Sequence, residues 1–184
     1  YEYGKRRFLE LGYEEIGMDH FALKSDGLYK AVENKTLHRN FMGYTSGKTQ
    51  LMIGLGMSSI SDSWYSFAQN IKTVEGYEQQ AMAGEIPIFR GHSLSDEDLV
   101  IRRHILNIMC HFHTDFSDPA MQFQELSDTL SKLSEMEDDG LIEIGTDYLK
   151  VHEVGRPFIR NVCMAFDLHL LRKAPQTRVF SMTI

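Results

Sequence analysis

His38-Arg39-Asn40-Phe41-Met42-Gly43-Tyr44-Thr45 is followed, nine residues later, by Gly54-Leu55-Gly56-Met57-Ser58-Ser59-Ile60-Ser61. Residues 50–55, which lead into the second stretch, form a near-continuous apolar run that ends at glycine. Such a run is typical of a strand that is buried on both faces of a parallel sheet. The paired glycines at its end indicate either a tight turn or a close approach of the backbone to a ligand. The pattern therefore predicts a central strand whose end is a candidate binding site.

The flanking segments predict alternating helices and strands. Helices are expected over residues 1–11, 25–34 and 74–83, and a further strand over 14–18. Gly12 is placed to end the first helix, and Ser25 is placed to cap the second. Because helix–strand–helix–strand order is typical of βα units, the first half of the chain is predicted to be α/β.

From Ser95 onward the pattern is mainly helical. Ser95 and Asp98 predict a capping box at the start of a long amphipathic helix. Further helices are expected over residues 119–136 and 156–173, with a β-hairpin between them over 141–151. A hairpin that follows two helices is typical of a winged helix. The fold class is therefore predicted as α/β followed by a mainly α, winged-helix-like part.

The charge distribution supports a division into two units at Gly91-His92-Ser93. Residues 1–91 carry ten basic and eleven acidic groups, whereas residues 92–184 carry nine and fifteen. We therefore predict domains at 1–91 and 92–184. The acidic balance of the second domain argues against a nucleic-acid surface, which normally needs a basic face. A lid over a substrate is the preferred interpretation of that domain.

The composition argues against a membrane-spanning, a disulfide-bonded or a metal-binding protein. The net charge is −7, and no apolar run approaches the roughly 20 residues that span a bilayer. Cys110 and Cys163 have neither a metal-binding spacing nor a disulfide framework, so a reducing cytoplasm is expected. His111 and His113 are also rejected as metal ligands, because positions i and i+2 of a helix diverge by about 200°.

The chain lacks an initiator Met and begins in a predicted helix, so we expect it to be the C-terminal part of a longer protein.

Both opening stretches, together with residues 17–22 and 159–164, resemble the oxygen-independent coproporphyrinogen III oxidases, which are radical S-adenosylmethionine enzymes. The resemblance runs almost end to end. It implies that residues 1–91 complete an incomplete (β/α) barrel. It also implies that the parent protein decarboxylates a tetrapyrrole using S-adenosylmethionine and a [4Fe–4S] cluster. That family holds the cluster on a CxxxCxxC loop, which this chain lacks, so the chain alone is expected to be inactive.

The resemblance also implies site residues. Gly54, Gly56 and Ile60 match positions that lie against S-adenosylmethionine. Phe41 matches a position beside the active centre, and Met42 replaces the glutamine that usually follows it. An isoleucine at position 60 is chemically sensible, because it can pack on adenine and exclude water from a radical.

Two arginines near the last predicted helix are candidates for substrate binding. Arg156 and Arg160 are spaced i, i+4, which places them on one helix face. Coproporphyrinogen III carries four propionates, and the arginine fork suits carboxylates. The alternative is an internal salt bridge to an acidic residue of the same domain, namely Asp138, Asp139 or Glu153.

Two other functions remain open from the sequence. The chain could come from a haem-chaperone relative of the same superfamily, although the first stretch favours the oxidase. It could also be a binding module without catalysis. The expected partners of the oxidase are its tetrapyrrole substrate and the N-terminal remainder of its own polypeptide, with no nucleic acid and no membrane.

Overall fold

A computed structural model describes residues 1–173 of the chain. The last eleven residues of the predicted second domain, 174–184, lie outside the described part. The helices are α1 (Glu2–Glu10), α2 (Gly27–Glu33), α3 (Val74–Met82), α4 (Asp96–His111), α5 (Leu126–Ser131), α6 (Ser134–Asp138), α7 (Ile159–Ala165) and α8 (Leu168–Lys173). The strands are β1 (Tyr13–Gly17), β2 (His20–Leu23), β3 (His38–Asn40), β4 (Gly43–Thr45), β5 (Leu51–Met52), β6 (Ile60–Ser63), β7 (Ser66–Asn70), β8 (Ile88–Ser93), β9 (His113–Asp115), β10 (Ile142–Ile144) and β11 (Tyr148–Val151).

The described strands form four small sheets. Two are hairpins, β1-β2 and β3-β4, and two are larger, with strand orders β5-β6-β7-β8 and β10-β11-β9. Every pairing among residues 1–173 is antiparallel. The chain is therefore a mixture of helices and strands, as predicted, but the prediction of parallel βα units is wrong for these residues.

The apolar run 50–55 accounts for that error. It contributes only the short strand β5, which pairs with β6 at one edge of the four-stranded sheet. Leu51, Ile53 and Leu55 are exposed. Burial of an apolar run depends on which elements cover it, and no described element covers these side chains. The predicted central strand is thus an edge strand.

Helix α4 begins and ends where its local sequence predicts. The Ser95 side chain accepts from the Asp98 backbone N–H at 3.2 Å, while the Asp98 carboxylate accepts from the Ser95 N–H at 2.9 Å. This confirms the capping box. On the predicted apolar face, Ile101 and Ile108 are buried in the core of the helical half. The helix ends at Phe112, whose φ of 56° is left-handed.

The elements after α4 follow the order β9, α5, α6, β10, β11, and the predicted hairpin over 141–151 is confirmed. Two predicted helices are broken, however. Residues 119–136 contain a 3-10 turn at Pro119–Met121, an extended Gln122, and then α5 and α6. Residues 156–173 begin as a 3-10 helix, Glu153–Phe158, because Pro157 has no N–H for an α-helical bond. The helix breaks again at Phe166, which is fully buried.

The two predicted domains contact each other directly. Tyr44 of β4 donates a hydrogen bond of 2.9 Å to the carbonyl of Met109 in α4. Cys110 of the same helix is buried in a core cluster formed otherwise by residues of the first half. The predicted boundary at 91/92 falls inside β8. No helix within residues 1–173 has the length and apolar character needed to cross a membrane.

His104 is the most deeply buried polar side chain of α4. Its Nε2 lies 2.7 Å from the Met121 carbonyl, which can only accept, so Nε2 carries the proton. Nδ1, at 2.8 Å from the Thr114 hydroxyl, then accepts. Burial lowers the pKa of His104, because the charged form is disfavoured away from water.

This buried neutral histidine predicts a pH dependence of stability. The unfolded state takes up a proton below about pH 6.5, whereas folded His104 does so only at lower pH. The free energy of unfolding should therefore fall from about pH 7.5 to about pH 5.5. In His104→Gln this fall should be smaller, as measured by urea denaturation at each pH. The exposed His113→Gln variant is the control, and equal slopes in the wild type and His104→Gln would contradict the assignment.

Candidate active-site cleft

A cleft of about 630 Å³ lies between the four-stranded sheet and helices α4 and α7. The sheet contributes Asp62, Phe67 and His92, and the β3–β4 hairpin contributes Arg39, Asn40 and Phe41. Helix α7 contributes Arg160, Cys163 and Met164. Apolar side chains of α4 form much of the remaining wall, which also includes Asp98, Asp167 and His169. The cleft therefore combines aromatic and aliphatic surface with both guanidinium and carboxylate groups.

Strand register explains which sheet residues reach the cleft. Asp62 of β6 pairs with Phe67 of β7, which in turn pairs with His92 of β8, so the three side chains share one face. Ile60 lies two residues before Asp62 on β6, and side chains at i and i+2 point to the same face. Ile60 is half-buried and is not part of the cleft wall, but it lies on the same sheet face.

Arg102 of α4 joins the helix to this sheet face. It donates 2.8 Å to the Asp62 carboxylate and 2.9 Å to the Ser63 carbonyl. Its guanidinium also lies 4.8 Å from the Trp64 ring centroid and 4.9 Å from that of Phe67. Both charged side chains are largely buried. Arg102 is therefore fully engaged inside the protein and is a structural part of the cleft floor.

Arg39 and Arg160 differ from Arg102, because neither forms a salt bridge within residues 1–173. Arg39 is the cross-strand neighbour of Tyr44, and its guanidinium lies 4.8 Å from that ring. One terminal nitrogen, Nη1, is buried without a hydrogen-bond partner within residues 1–173. Arg160 is exposed on α7 and also lines the cleft. Two cations are thus available to a negatively charged ligand.

The two arginines predicted from the sequence to bind substrate lie in different places. Arg160 lines the cleft, but Arg156 precedes α7 in the 3-10 segment and is not part of the cleft wall. Its guanidinium instead lies 4.3 Å from the Phe112 ring. Neither arginine forms a salt bridge to Asp138, Asp139 or Glu153 among the ion pairs of residues 1–173. The alternative of an internal salt bridge is therefore wrong for the described residues.

Phe41 and Met42 form the turn of the β3–β4 hairpin, but only one of them faces the cleft. Phe41 lines the cleft and meets Phe67 edge to face at 5.1 Å. Met42 is 84% exposed and lies outside the cleft wall. The Met42 N–H donates to the Asn40 side chain at 2.8 Å, and Gly43 follows with a φ of 122°. The structure thus brings Phe41, but not Met42, together with the arginines.

The loop of Gly54 and Gly56 is held by its own hydrogen bonds. The side-chain amide of Asn70, itself buried, donates to the carbonyls of Gly54 at 3.0 Å and Gly56 at 2.9 Å. The Gly56 N–H donates to the Tyr77 hydroxyl at 3.0 Å. A Cβ at Gly54 would lie 2.8 Å from the Ile60 carbonyl oxygen, whereas one at Gly56 would meet only the Ser59 hydroxyl at 3.8 Å. Close packing on residues 59–60 explains Gly54, whereas the left-handed φ of 95° explains Gly56, beside which a Cβ would have open space.

The sequence reasoning missed Arg39, Arg102 and Asp62. Arg39 lies in the stretch 38–45, and its closeness in sequence to Phe41, a predicted site residue, could have identified it. Asp62 and Arg102 are 40 residues apart, and no local pattern links them. Burial raises the pKa of the Cys110 and Cys163 thiols to about 12. Neither cysteine belongs to a group of potential metal ligands within residues 1–173.

Comparison with known proteins shows what the chain is similar to. No family model matches the chain. The oxygen-independent coproporphyrinogen III oxidase of Salmonella typhimurium is 36% identical over 170 residues, which are 90% of this chain and 37% of that protein. The Thermostichus vulcanus protein of the same name is 39% identical over 177 residues, 93% of this chain and 54% of its own.

A solved structure agrees. The fold matches coproporphyrinogen III oxidase (HemN) from Escherichia coli, described as a radical SAM enzyme, with a TM-score of 0.84 and 34% identity. The match covers 92% of this chain and 40% of that structure. The resemblance inferred from the sequence is therefore confirmed. The chain is homologous to part of the oxygen-independent coproporphyrinogen III oxidases and spans well under two thirds of their length.

The glycine loop yields a matched pair of variants. Gly54→Ala should lower the free energy of unfolding by about 1–3 kcal/mol, because its Cβ meets backbone that cannot move freely. Gly47→Ala should leave stability unchanged or raise it by about 0.4–1 kcal/mol, since nothing lies within 4 Å of its Cβ. Urea denaturation measures both. Equal stability of the two variants would contradict the tight packing of Gly54 on residues 59–60.

Proposed function

We propose that the chain is part of an enzyme that converts coproporphyrinogen III to protoporphyrinogen IX by two oxidative decarboxylations of propionate side chains. Each decarboxylation removes a hydrogen atom, an electron and carbon dioxide, and leaves a vinyl group. The observation that carries this proposal is the cleft, in which Phe41 and Phe67 lie beside the unpaired guanidinium groups of Arg39 and Arg160. The relatives named as coproporphyrinogen III oxidases support it.

The chemistry of the substrate suits this cleft. A tetrapyrrole presents a broad apolar ring system bordered by carboxylates. The rings of Phe41 and Phe67 can contact the apolar part, while Arg39 and Arg160 can bind propionates through paired N–H donors. The chain has a net charge of −7, which repels a tetra-anion at long range, so local cations are needed to hold it.

The residues of the chain do not fit the family's iron–sulfur cluster. The full sequence contains two cysteines, whereas such clusters need three or four thiolates. Both thiols are also held protonated by burial. No step through the cluster is assigned to this chain, and we propose that the chain alone is inactive.

S-adenosylmethionine, when bound, supplies the radical that removes the hydrogen atom. For this chain the proposed contacts remain Gly54, Gly56 and Ile60. The open backbone at Gly56 and the position of Ile60 on the sheet face of the cleft support them. The role of Ile60 in this proposal is to pack against the ligand and exclude water. Met42 and Arg156, which lie outside the cleft wall, are given no contact with substrate.

The partner of the chain in this proposal is the remainder of the same polypeptide, which carries the cluster loop. Exposed apolar side chains around the four-stranded sheet support it, since Leu55 is 82%, Met82 89% and Ile86 78% exposed. Apolar surface of this kind commonly marks an interface. The antiparallel sheet then sits at the edge of the barrel, and residues 92–184 form the winged-helix-like lid over the substrate.

The decisive experiment is anaerobic turnover of coproporphyrinogen III by the longer protein that contains this chain. Protoporphyrinogen IX should form with the longer protein and not with the 184-residue chain. Arg160→Gln in the longer protein should raise KM for coproporphyrinogen III about tenfold, equivalent to about 1.4 kcal/mol of lost binding. The value of kcat should change little, because a charge contact to a remote propionate is equal in ground and transition states.

Arg6→Gln is the matched control, because Arg6 is an exposed arginine on α1, outside the cleft wall. It should leave both kinetic constants at the wild-type values. Absence of protoporphyrinogen IX from the cluster-loaded longer protein would overturn the proposed function. An unchanged KM in Arg160→Gln would overturn only the role given to that residue.

A further inference from the structure

Three metal-ligating side chains meet at the rim of the cleft. His92 comes from β8, Asp98 from the first turn of α4, and His169 from α8. Their ligand atoms all lie within 4.8 Å of one another. His169 Nε2 is 2.7 Å from Asp98 Oδ1, and His92 Nε2 is 3.4 Å from Asp98 Oδ2. No other such group occurs within residues 1–173.

The fold fixes this arrangement independently of any ion. His92 and Asp98 are close because β8 leads directly into the Ser95 cap of α4. Helix α8 is held against α4 by Arg172, whose guanidinium donates to both oxygens of Glu97 at 2.7 and 2.9 Å. Glu97 precedes Asp98, and Arg172 lies three residues after His169, so this ion pair brings His169 to the carboxylate.

The carboxylate is oriented by its own neighbours. Asp98 Oδ2 accepts from the backbone N–H and the hydroxyl of Ser95, each at 2.9 Å. Although partial burial opposes ionisation, these hydrogen bonds and the one to His169 lower the pKa of Asp98 to about 2. The hydrogen bonds to Oδ2 fix the orientation of the carboxylate, so that Oδ1 faces His169. Metal-ligating carboxylates are commonly oriented by hydrogen bonds of this kind.

Both imidazoles point the same nitrogen at this carboxylate. Among the described hydrogen bonds and ion pairs, His92 and His169 make no contact except those of Nε2 with Asp98. The two rings stand edge to face, with centroids 5.5 Å apart. Both side chains are half exposed, so the rings can rotate slightly. Ligand atoms around a tetrahedral zinc lie about 3.3 Å apart for bonds of about 2.0 Å, which small rotations can provide.

We propose that His92, Asp98 and His169 form a binding site for a divalent transition-metal ion of the zinc class, with water as the fourth ligand. Two neutral imidazoles and one carboxylate are a common donor set for zinc that keeps one open position. The ion joins β8, α4 and α8 at the cleft rim. It also adds positive charge to a cleft that contains Arg39 and Arg160, and its open position can accept a carboxylate oxygen. This proposal does not depend on the proposed enzymatic function.

The competing occupant of the site is a proton. Protonation of either imidazole gives an ordinary ion pair with Asp98 and needs no metal. The positive end of the α4 dipole also opposes a cation at this place. The two alternatives differ in one observable property. A metal site binds one equivalent of ion with defined geometry, whereas a protonated pair binds none.

Cobalt(II) is a suitable probe, because its visible ligand-field absorption reports tetrahedral nitrogen and oxygen ligands. The chelator-treated 184-residue chain should bind one equivalent of Co²⁺ with this absorption, and Zn²⁺ should displace it. His92→Gln and His169→Gln should each weaken Co²⁺ binding at least tenfold. His113→Gln, an exposed histidine that stacks on Tyr148 outside the cluster, should bind as the wild type does.

Circular dichroism of each variant verifies folding, which is expected because both imidazoles are half exposed. Addition of Zn²⁺ should raise the melting temperature of the wild type and of His113→Gln, but not of the two cluster variants. The proposal is overturned if no ligand-field band appears or if the band is the same in the cluster variants. It is also overturned if a sulfur charge-transfer band shows that Cys110 or Cys163 binds the ion.

Discussion

The guanidinium of Arg102 is the interaction on which the cleft depends. It lies between the rings of Trp64 and Phe67 and donates to Asp62, to the Ser63 carbonyl and, at 3.3 Å, to the Trp64 carbonyl. Every one of these partners belongs to the β6–β7 hairpin, whereas Arg102 belongs to α4. Loss of one member of a buried ion pair leaves the other charge uncompensated, at a cost of about 3–5 kcal/mol. This single side chain therefore sets the distance between the sheet and the helical half.

The distance between the sheet and the helical half determines which side chains meet in the cleft. With the sheet held on α4, Phe67 meets Phe41 from the hairpin turn, and Arg39 and Arg160 both line the cleft. Carboxylates, among them Asp98 and Asp167, line it as well, so the cleft offers charged groups of both signs. The His92–Asp98–His169 cluster at the rim depends on the same geometry, because its members come from the sheet, from α4 and from α8.

Local signals in the sequence predicted local structure correctly. The capping box of α4, its apolar face and the hairpin over 141–151 each depend on residues a few positions apart. The prediction of a central strand over residues 50–55 was wrong because the burial of that run depends on distant elements. The predictions of continuous helices over 119–136 and 156–173 were wrong because Gln122 and Pro157 interrupt them. The resemblance to the oxidases is confirmed, and Phe41, which it predicted beside the active centre, lines the cleft. The predicted S-adenosylmethionine contacts at Gly54, Gly56 and Ile60 remain predictions, and the distant Asp62–Arg102 pair had no signal in the sequence.

The role of Arg102 can be measured with the single tryptophan of the chain, Trp64, which contacts it. In urea, Trp64 fluorescence and far-ultraviolet circular dichroism should give coincident transitions for the wild type and for Arg103→Met, the same change at the adjacent residue. For Arg102→Met, the account predicts a fluorescence transition at clearly lower urea than the dichroism transition, because the hairpin leaves α4 first. A fluorescence transition that stays at the Arg103→Met midpoint would contradict it.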